Sequence, residues 1–330
     1  MHHKLNIQDI INAKERIAHL VVDTPIVTSS QLNSWLGHDI YFKAEGLQKI
    51  GAFKARGACN TISWLLENGH KPNHIVANSS GNHAQAVAWA SKLFGIRSTI
   101  YMPDYSSKIK IQATQSYGAN IVLCKTRQEV DALVQEVSKE SNTYWIPPYN
   151  HDQVICGQGT VAFDVLNSLN KVDAIFAPCG GGGLMSGTLI TARGLSKKTK
   201  VIGAEPLNAN DAAQSLRTGT IQALSHAPQT LADGAMTLSV GHITFEYLKQ
   251  LDGFYEISET DMLYWTQWLS HLLKLRIEPT SALGMAAAYQ WLKTQSSKQS
   301  VVVILSGANI DQQTSLKIWQ EDYLSHQPTL

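Results

Sequence analysis

One lysine near the start of the chain could form an imine. Lys54 lies in the segment Gly51 to Ala58, beside Phe53 at the predicted start of a helix. Apolar neighbours favour partial desolvation, which keeps a lysine amine neutral often enough to attack a carbonyl carbon. Taken alone, Lys54 is more often a lysine on a solvated face, so its interpretation depends on partners elsewhere in the sequence.

Four consecutive glycines could hold a phosphate group. Gly180 to Gly183 follow the apolar run Ala174–Ala177 and precede a helix that begins near Leu184. Glycine lets the backbone approach an anion closely, and a helix N-terminus supplies unpaired N–H groups. Neither the dinucleotide fingerprint nor the Walker pattern is met, since Met185 and Thr188 stand where a glycine and a lysine are required. A phosphate site is predicted, with a tight structural turn as the alternative.

Two serine-containing turns complete the set. Ser79-Ser80-Gly81-Asn82-His83 separates a predicted strand from a predicted helix, and its N–H groups could hold a carboxylate. Capping of the helix by Ser80 is the plainer alternative. Ser306 follows the apolar run Val301–Leu305, at the strand end where ligands gather in open α/β sheets. With Lys54 and the glycines, these turns predict a site for pyridoxal 5'-phosphate (PLP).

A separate acidic loop could bind a metal ion. Glu205 and Asp211 flank a proline-broken stretch after the predicted strand 201–205. Two carboxylates with backbone carbonyls between them suit a hard divalent cation with oxygen ligands. The motif is weak in isolation, because many such loops are only polar turns.

The elements that position these residues alternate along the chain. Short apolar runs predict strands at 40–43, 74–78, 98–102, 121–124, 174–177, 201–205 and 301–305. Helical spacing predicts helices at 57–68, 82–94, 106–117, 127–140 and 184–194. This alternation favours an α/β fold with parallel sheets covered on both faces. We expect a small domain, 75–146, inserted into a large PLP-binding domain, 1–74 and 147–330.

Composition narrows the class of protein. Among 330 residues, 27 basic side chains balance 26 acidic ones, which gives no indication of a nucleic-acid or membrane partner. No run of 18 apolar residues occurs, and residues 1–11 lack the apolar core of a signal peptide. The four cysteines follow no metal-ligand spacing and are interpreted as reduced, mostly buried thiols. A cytoplasmic location is therefore expected.

Together these segments resemble the fold-type II PLP enzymes of the serine racemase and threonine (serine) dehydratase family. The resemblance covers nearly the whole chain and includes lesser segments at 157–160, 230–234 and 278–280. It implies two parallel-sheet lobes with the active site between them, and a homodimer. Small-for-small departures, such as Ala52 where many relatives have serine, leave PLP binding intact.

The family carries specific roles onto residues of this sequence. Lys54 would form the Schiff base and move the α-proton on one face, and Ser80 would act as acid or base on the other. Asn82 would contact the ring hydroxyl, and Ser306 the pyridine nitrogen. The phosphate would be bound by Gly180, Gly181, Gly182, Gly183 and Leu184, and the substrate carboxylate by Ser79, Ser80, Gly81, Asn82 and His83. Glu205, the carbonyl of Ala209, and Asp211 would bind Mg²⁺, Mn²⁺ or Ca²⁺.

The implied activity is β-elimination of a hydroxy amino acid such as L-threonine or L-serine, which yields a 2-keto acid and ammonia. Serine racemisation as the main activity and threo-3-hydroxyaspartate dehydration stay open as alternatives. Two other functions also remain open. One is β-replacement, as in cysteine synthase relatives, although those lack an acidic loop like 205–211. The other is a non-catalytic protein that binds a small molecule. The preferred substrate and the balance of elimination and racemisation are not determined by the sequence.

Overall fold

Two β-sheets form the framework of the computed structural model, which describes residues 4–106 and 108–330. The larger sheet contains β1 (Ile26–Thr28), β2 (Asp39–Ala44), β7 (Ala174–Pro178), β8 (Lys200–Pro206), β9 (Gly253–Ile257) and β10 (Ser300–Leu305). The smaller sheet contains β3 (His74–Asn78), β4 (Arg97–Pro103), β5 (Asn120–Cys124) and β6 (Thr143–Trp145). Residues 1–3 of the predicted large domain and Ser107 of the predicted helix 106–117 lie outside the described residues.

The strand order confirms the predicted fold class of parallel-sheet lobes. The larger sheet runs β1-β2-β10-β7-β8-β9, and the smaller runs β5-β4-β3-β6. Every neighbouring pair is parallel except β1 and β2, which are antiparallel. The strand β1 is at the end of the strand order, so it is an edge strand, and the apolar pattern did not predict it. Parallel strands end at the same edge of a sheet, so the loops after β7, β8 and β10 are brought together.

Helices cover both sheets. Within the described residues they are α1 (Ile7–Ile17), α2 (Ser30–Leu36), α3 (Lys54–Glu67), α4 (Asn82–Leu93), α5 (Lys108–Ser116), α6 (Arg127–Val137), α7 (Asp152–Ser168), α8 (Gly183–Leu195), α9 (Asp211–Thr218), α10 (His242–Leu248), α11 (Glu259–Leu273), α12 (Pro279–Leu292) and α13 (Gln312–Ile318). Short 3₁₀ helices lie at Glu45–Leu47, Lys49–Gly51, Leu207–Ala209, Asp233–Ala235 and Tyr323–Ser325. None of these helices combines the length and apolar character that a membrane span requires.

The larger sheet is buried on both faces. In β10 every residue is buried, and alternate side chains enter different cores. Val301, Val303 and Leu305 pack with α11 and α12, whereas Val302 and Ile304 pack with α1, α7 and α8. Side chains of a strand alternate between faces, so a continuous apolar run is what a strand covered on both sides requires.

The helix α7 fixes the separation of two helices that lead to the site. At one point its Gly157 lies against Gly57 of α3, where an added Cβ would come within 2.6 Å of the Gly57 Cα. Two residues on, Gly159 lies against Gly187 of α8, and a Cβ on Gly187 would come within 2.5 Å of the Gly159 nitrogen. Any side chain at these contacts would push the helices apart. The lysine helix and the helix after the glycine loop are therefore both packed closely on α7.

The smaller sheet has a core of its own. Ile75 and Ala77 of β3 pack with Ile100 of β4 and with residues of α4. The same cluster includes Ala55 and Ile62 of α3, so the lysine helix packs against the smaller lobe as well as against α7. The division into domains at 74–75 and 146–147 stays a prediction.

Candidate active site

Backbone hydrogen bonds tie the lysine segment to the late serine turn. The amide of Phe53 donates to the carbonyl of Ser306 at 3.0 Å, and the amide of Ala308 donates to the carbonyl of Gly51 at 2.9 Å. Ile50, just before, has a φ of 59°, which is rare for a β-branched residue, and its carbonyl accepts from the Asn309 side-chain amide at 2.8 Å. The start of α3 is therefore attached to the end of β10.

Lys54 is the first residue of α3, and its amine crosses to the segment after β6. Its Nζ donates to the carbonyl of Pro148 at 2.6 Å and lies 5.3 Å from the centre of the Phe53 ring. The residue keeps part of its surface accessible, but the amine lies deep among protein atoms. This burial lowers the pKa of Lys54 to about 8. The neutral amine is consequently well populated near physiological pH, as an imine-forming lysine requires.

The 79–83 turn lies at the end of β3 and at the start of α4. No side chain caps this helix, whose N-cap residue is Gly81, so the capping expected of Ser80 as the plainer alternative is not observed. Ser79 Oγ instead accepts from the Gly81 amide at 3.3 Å. The open first turn leaves N–H groups for an anion.

His83 is buried in the smaller lobe, and its side chain bonds the protein. Its Nε2 lies 2.9 Å from the carbonyl of Ile146, so this nitrogen is the donor. Burial, with the nearby Lys54 amine, lowers the pKa of His83 to about 3. The ring is therefore neutral, and any contribution of His83 to binding an anion comes from its backbone.

The glycine loop follows β7 and opens α8 with no side-chain cap. Gly182 has a φ of 93°, a conformation that L side chains rarely adopt, and a Cβ there would come within 2.9 Å of Thr244. A Cβ on Gly181 would lie 2.2 Å from the ring of Tyr149. The loop thus presents bare backbone at a helix N-terminus, which is the arrangement that binds phosphate. Gly180 and Gly183 are likewise packed against backbone atoms of Gly234 and Tyr149.

Ser306 meets a buried carboxylate. Its Oγ lies 3.1 Å from Ser281 Oγ and 3.4 Å from Glu278 Oε1. Glu278 also accepts from the side-chain amide of Asn82, with nitrogen–oxygen distances of 3.2 and 3.3 Å. These contacts join the end of β10 to the start of α4 in the other lobe. Lys54, Asn82 and Ser306 are therefore brought to one place, because Phe53 beside the lysine bonds Ser306 directly.

The acidic loop places two carboxylates in the interior. Glu205 accepts from the amides of Ala212 and Ala213 at 3.2 and 2.7 Å, and burial raises its pKa to about 9. Burial raises the pKa of Asp211 to about 7, although the amides of Asp211 itself and Val240 partly offset it. Those amides do not reach hydrogen-bond geometry, so both oxygens of Asp211 lack a partner. Among the described residues no three His, Cys, Asp or Glu side chains form a metal cluster.

Comparison with known proteins identifies the family. The family model described as "Pyridoxal-phosphate dependent enzyme" matches residues 17–307. The chain belongs to this family of pyridoxal-phosphate dependent enzymes. It is 40% identical over 305 residues to the L-threo-3-hydroxyaspartate ammonia-lyase of Saccharomyces cerevisiae, covering 92% of this chain and 93% of that protein.

Solved structures agree with this assignment. The crystal structure of serine racemase from Dictyostelium discoideum is similar with a TM-score of 0.86 and 37% identity, covering 93% of this chain and 99% of that one. The crystal structure of a threonine deaminase from T.th. gives a TM-score of 0.87 and 36% identity over the same shares.

The residues of this pyridoxal-phosphate dependent enzyme fit its cofactor. A lysine amine of lowered pKa, an uncapped helix behind a glycine loop, and a hydroxyl at the end of β10 supply an imine former, a phosphate cradle and a ring contact. A side chain on Gly181 or Gly182 would fill that cradle. The fit rests on groups that converge from three separate stretches of the sequence.

The contacts of three residues in the site were not predicted from the sequence, although segment 147–149 is part of the family resemblance and Tyr149 is expected near the cofactor ring. The Tyr149 ring covers Gly181, and its hydroxyl donates to the Ser239 carbonyl at 3.0 Å. Glu278 contacts both Asn82 and Ser306, whereas the sequence indicates segment 278–280 only as part of the family resemblance. Lys110 of α5 forms an ion pair with Asp233 across the two lobes. A polar residue beside a proline was the signal available for Tyr149 and Glu278, whereas nothing in the sequence indicated the ion pair.

Proposed function

We propose that this enzyme catalyses PLP-dependent β-elimination from a hydroxy amino acid, giving a 2-keto acid and ammonia, with racemisation of serine as the alternative main activity. The observation that carries the proposal is the buried Lys54 amine of lowered pKa, held beside the Asn82–Glu278–Ser306 cluster. A single active site with these groups supports both reactions, because both begin with removal of the same α-proton.

The relatives' names support this substrate class. One is an ammonia-lyase for L-threo-3-hydroxyaspartate, one a serine racemase and one a threonine deaminase. The amino acids in these names all carry a hydroxyl on the β-carbon. We therefore expect a β-hydroxy amino acid as substrate, and L-threonine, L-serine and L-threo-3-hydroxyaspartate are the compounds to test.

The binding roles follow from the positions of the residues. PLP, when bound, supplies the electron sink that makes the α-proton of an amino acid acidic. The backbone of Gly180 to Gly183 and Leu184 would hold its phosphate at the start of α8. Asn82 would donate to the ring hydroxyl, and Ser306 would meet the ring nitrogen. Lys54 would form the covalent attachment.

The proton-transfer roles belong to two residues on opposite faces. Once displaced by substrate, the Lys54 amine would remove the α-proton as a general base, since its pKa of about 8 lies close to working pH. The N–H groups of the 79–83 turn would hold the substrate carboxylate. Ser80, half-buried and free of any capping role, would deliver a proton to the other face.

Replacement of Lys54 tests the catalytic proposal. We expect Lys54→Ala to lower the rate of keto-acid formation by at least about a hundredfold, because a positioned general base contributes roughly 10²–10⁴-fold. The matched control is Lys49→Ala, which removes an exposed lysine from the same segment and should keep the wild-type rate. Equal rates in Lys54→Ala and wild type would contradict the assignment.

Replacement of Ser80 separates the two activities. We expect Ser80→Ala to abolish formation of D-serine from L-serine while elimination from the L-substrate is largely kept, because only racemisation needs a proton donor on the second face. The two products are measured in the same reaction. An equal loss of both activities would count against the two-face assignment.

We further propose a divalent-cation site formed by Glu205, the carbonyl of Ala209, and Asp211, with Mg²⁺ as the first candidate and Mn²⁺ or Ca²⁺ as others. The buried, unpartnered carboxylate of Asp211 supports it, because a buried charge without a partner is costly. A cation would also favour the ionised form of Glu205, which burial and the neighbouring Asp211 disfavour.

Thermal unfolding with added metal tests the cation site. Ligand binding to the folded state raises stability by about 2.7 kcal/mol at a hundred times Kd, so the midpoint of the wild type should rise with Mg²⁺. Asp211→Asn should remove this response, while the exposed Glu246→Gln should keep it. If Mg²⁺, Mn²⁺ and Ca²⁺ all leave the unfolding midpoint of the wild type unchanged, the proposed site is refuted.

Two broader expectations accompany the proposal. The four free, buried cysteines support a reducing compartment, and we infer a cytoplasmic location. The family resemblance supports a homodimer, which sedimentation equilibrium would detect as twice the monomer mass.

A further inference from the structure

Glu278 is a buried acidic residue at the centre of the site. It is 1% exposed and precedes α12, whose first residue is Pro279. Its carboxylate receives the Asn82 side-chain amide at 3.2 and 3.3 Å and the Asn309 backbone amide at 3.2 Å. The Ser306 hydroxyl lies at 3.4 Å. One carboxylate thus touches both residues that the proposed function places against the cofactor ring.

The carboxylate fixes the orientation of the Asn82 amide. Asn82 Nδ2 faces Glu278, which accepts hydrogen bonds and has none to give when ionised. On the other side, Asn82 Oδ1 accepts from Asn309 Nδ2 at 2.8 Å. The reverse orientation would set oxygen against carboxylate and nitrogen against nitrogen. The amide nitrogen of Asn82 therefore keeps its place, with its second hydrogen free for another acceptor.

The same carboxylate also limits where the Ser306 proton can go. Ser281 Oγ donates to the carbonyl of Gly307 at 2.9 Å and accepts from the amide of Gly307 at 2.9 Å. Its only proton is therefore used, so Ser281 and Glu278 are both acceptors for Ser306. With its proton directed into the protein, the Ser306 oxygen retains a lone pair, so it can accept a hydrogen bond from a protonated ring nitrogen.

The surroundings leave room for this carboxylate and supply it with donors. A Cβ on Gly307 would come within 2.6 Å of Glu278 Oε2, so only glycine fits beside it. Burial raises the pKa of Glu278, while Asn82, Asn309, the Lys110 charge and Ser306 oppose that shift. Asn82, Asn309 and Ser306 can each donate a hydrogen bond to Glu278, which is the pattern that an ionised carboxylate requires.

We propose that Glu278 is a positioning residue for the cofactor ring: its carboxylate orients the Asn82 amide toward the ring hydroxyl and the Ser306 oxygen toward the ring nitrogen. This inference rests on the proposed function, which places Asn82 and Ser306 against those two atoms. In this arrangement Glu278 acts through its contacts with Asn82 and Ser306.

The test compares the affinities of the enzyme for PLP and for 3-deoxypyridoxal phosphate, which lacks the ring hydroxyl. In Glu278→Gln an amide nitrogen replaces one carboxylate oxygen and opposes the donor of Asn82, Asn309 or Ser306. We expect the dissociation constant of PLP to rise about tenfold, equivalent to about 1.4 kcal/mol. The constant of the analogue should rise less, by about threefold, because its Asn82 contact is already missing.

Two further variants make the test decisive. Glu278→Asp keeps the charge but shortens the side chain, so it should weaken PLP binding less than Glu278→Gln. It also serves if the glutamine variant does not fold. Asp252→Asn removes a carboxylate that accepts from the Val201 amide at the start of β8, the edge of the sheet away from the site, and should leave both constants unchanged.

The outcomes are distinct. Unchanged PLP affinity in Glu278→Gln, or an equal loss for PLP and the analogue, would overturn the proposal, because a purely structural carboxylate does not distinguish the two ligands. If the glutamine variant fails to fold, unchanged affinities in Glu278→Asp would overturn it. Failure of the proposed function would appear separately, as a wild type that binds PLP but forms no keto acid and no inverted amino acid.

Discussion

The most sharply defined consequence of the structure concerns Arg56, two residues after Lys54. Its guanidinium is fully buried and bonds Glu45 through two nitrogen–oxygen contacts of 2.8 Å. A third contact of 2.8 Å reaches Asp164 of α7. Arg56 therefore joins α3 to α7 and to the segment that follows β2. Removing it would leave two buried carboxylates without their main counter-charge.

We expect Arg56→Met to destabilise the protein by about 3–5 kcal/mol, the usual cost of breaking a buried ion pair from one side. Unfolding entropies of roughly 2.1 cal/mol/K per residue, taken over 330 residues, convert this into a fall of about 4–7 °C in the unfolding midpoint. The exposed pair Arg127–Asp131, at 3.6 Å, provides the matched control. Arg127→Met should shift the midpoint by less than about 1 °C, because such pairs contribute little.

The loss should also depend on pH. Burial raises the pKa of Asp164, but Arg56, Lys14 and Lys43 outweigh burial and hold that pKa below its ordinary value. A lowered pKa means that the wild type gains stability from Asp164 above the unfolded value of about 3.9 and loses it as pH falls further. Without Arg56 the folded pKa rises, so the deficit of the variant should be largest at pH 7.

Differential scanning fluorimetry at pH 7 and near pH 4 measures both effects. The reasoning predicts a large deficit at pH 7 that shrinks at the lower pH, where protonation removes the unpaired charges. A midpoint for Arg56→Met within about 1 °C of wild type at pH 7, or a deficit that does not change with pH, would refute it.

Two other predictions follow from packing. Gly181→Ala should weaken PLP binding by at least about tenfold in an equilibrium titration, because its Cβ would lie 2.2 Å from the Tyr149 ring. The control is Gly253→Ala, which should leave PLP affinity unchanged because the nearest atom to its Cβ is 3.5 Å away. All four cysteines are buried, and burial raises the pKa of the Cys59 thiol to about 12. A thiol reagent should therefore react with them only after unfolding, and rapid labelling of the native protein would contradict this.

Local sequence patterns predicted much of the framework. The strand 74–78 has the predicted bounds, and α8 begins at Gly183, one residue before the predicted start. Buried apolar runs and glycine-rich turns are signals contained within a few neighbouring residues. The three-residue strands β1 and β6 carried no such signal, since their pairing is provided by strands elsewhere in the chain.

The helix α7 shows how tertiary packing can override a local preference. Gly157 and Gly159 lower helix propensity, so no helix was predicted there. In the fold both glycines permit the close contacts with Gly57 and Gly187. Their effect on the helix is offset by packing that only the assembled structure provides.

The site was predictable as a set of residues but not as a network. Asn82 and Glu278 are 196 positions apart in the sequence, and Asn82 and Asn309 are 227 apart. No local pattern connects them. Their contact depends on how the two lobes pack, so the sequence indicates segment 278–280 through the family resemblance but not the role of Glu278.

The most direct test of the proposed function is a product assay on the purified, PLP-loaded enzyme with Mg²⁺. L-Serine, D-serine, L-threonine and L-threo-3-hydroxyaspartate would be offered separately, with keto acid and enantiomer measured in parallel. We predict keto acid and ammonia from at least one L-substrate, and D-serine from L-serine if Ser80 works as the second acid or base. Neither keto acid nor inverted amino acid from any of the four would contradict the account.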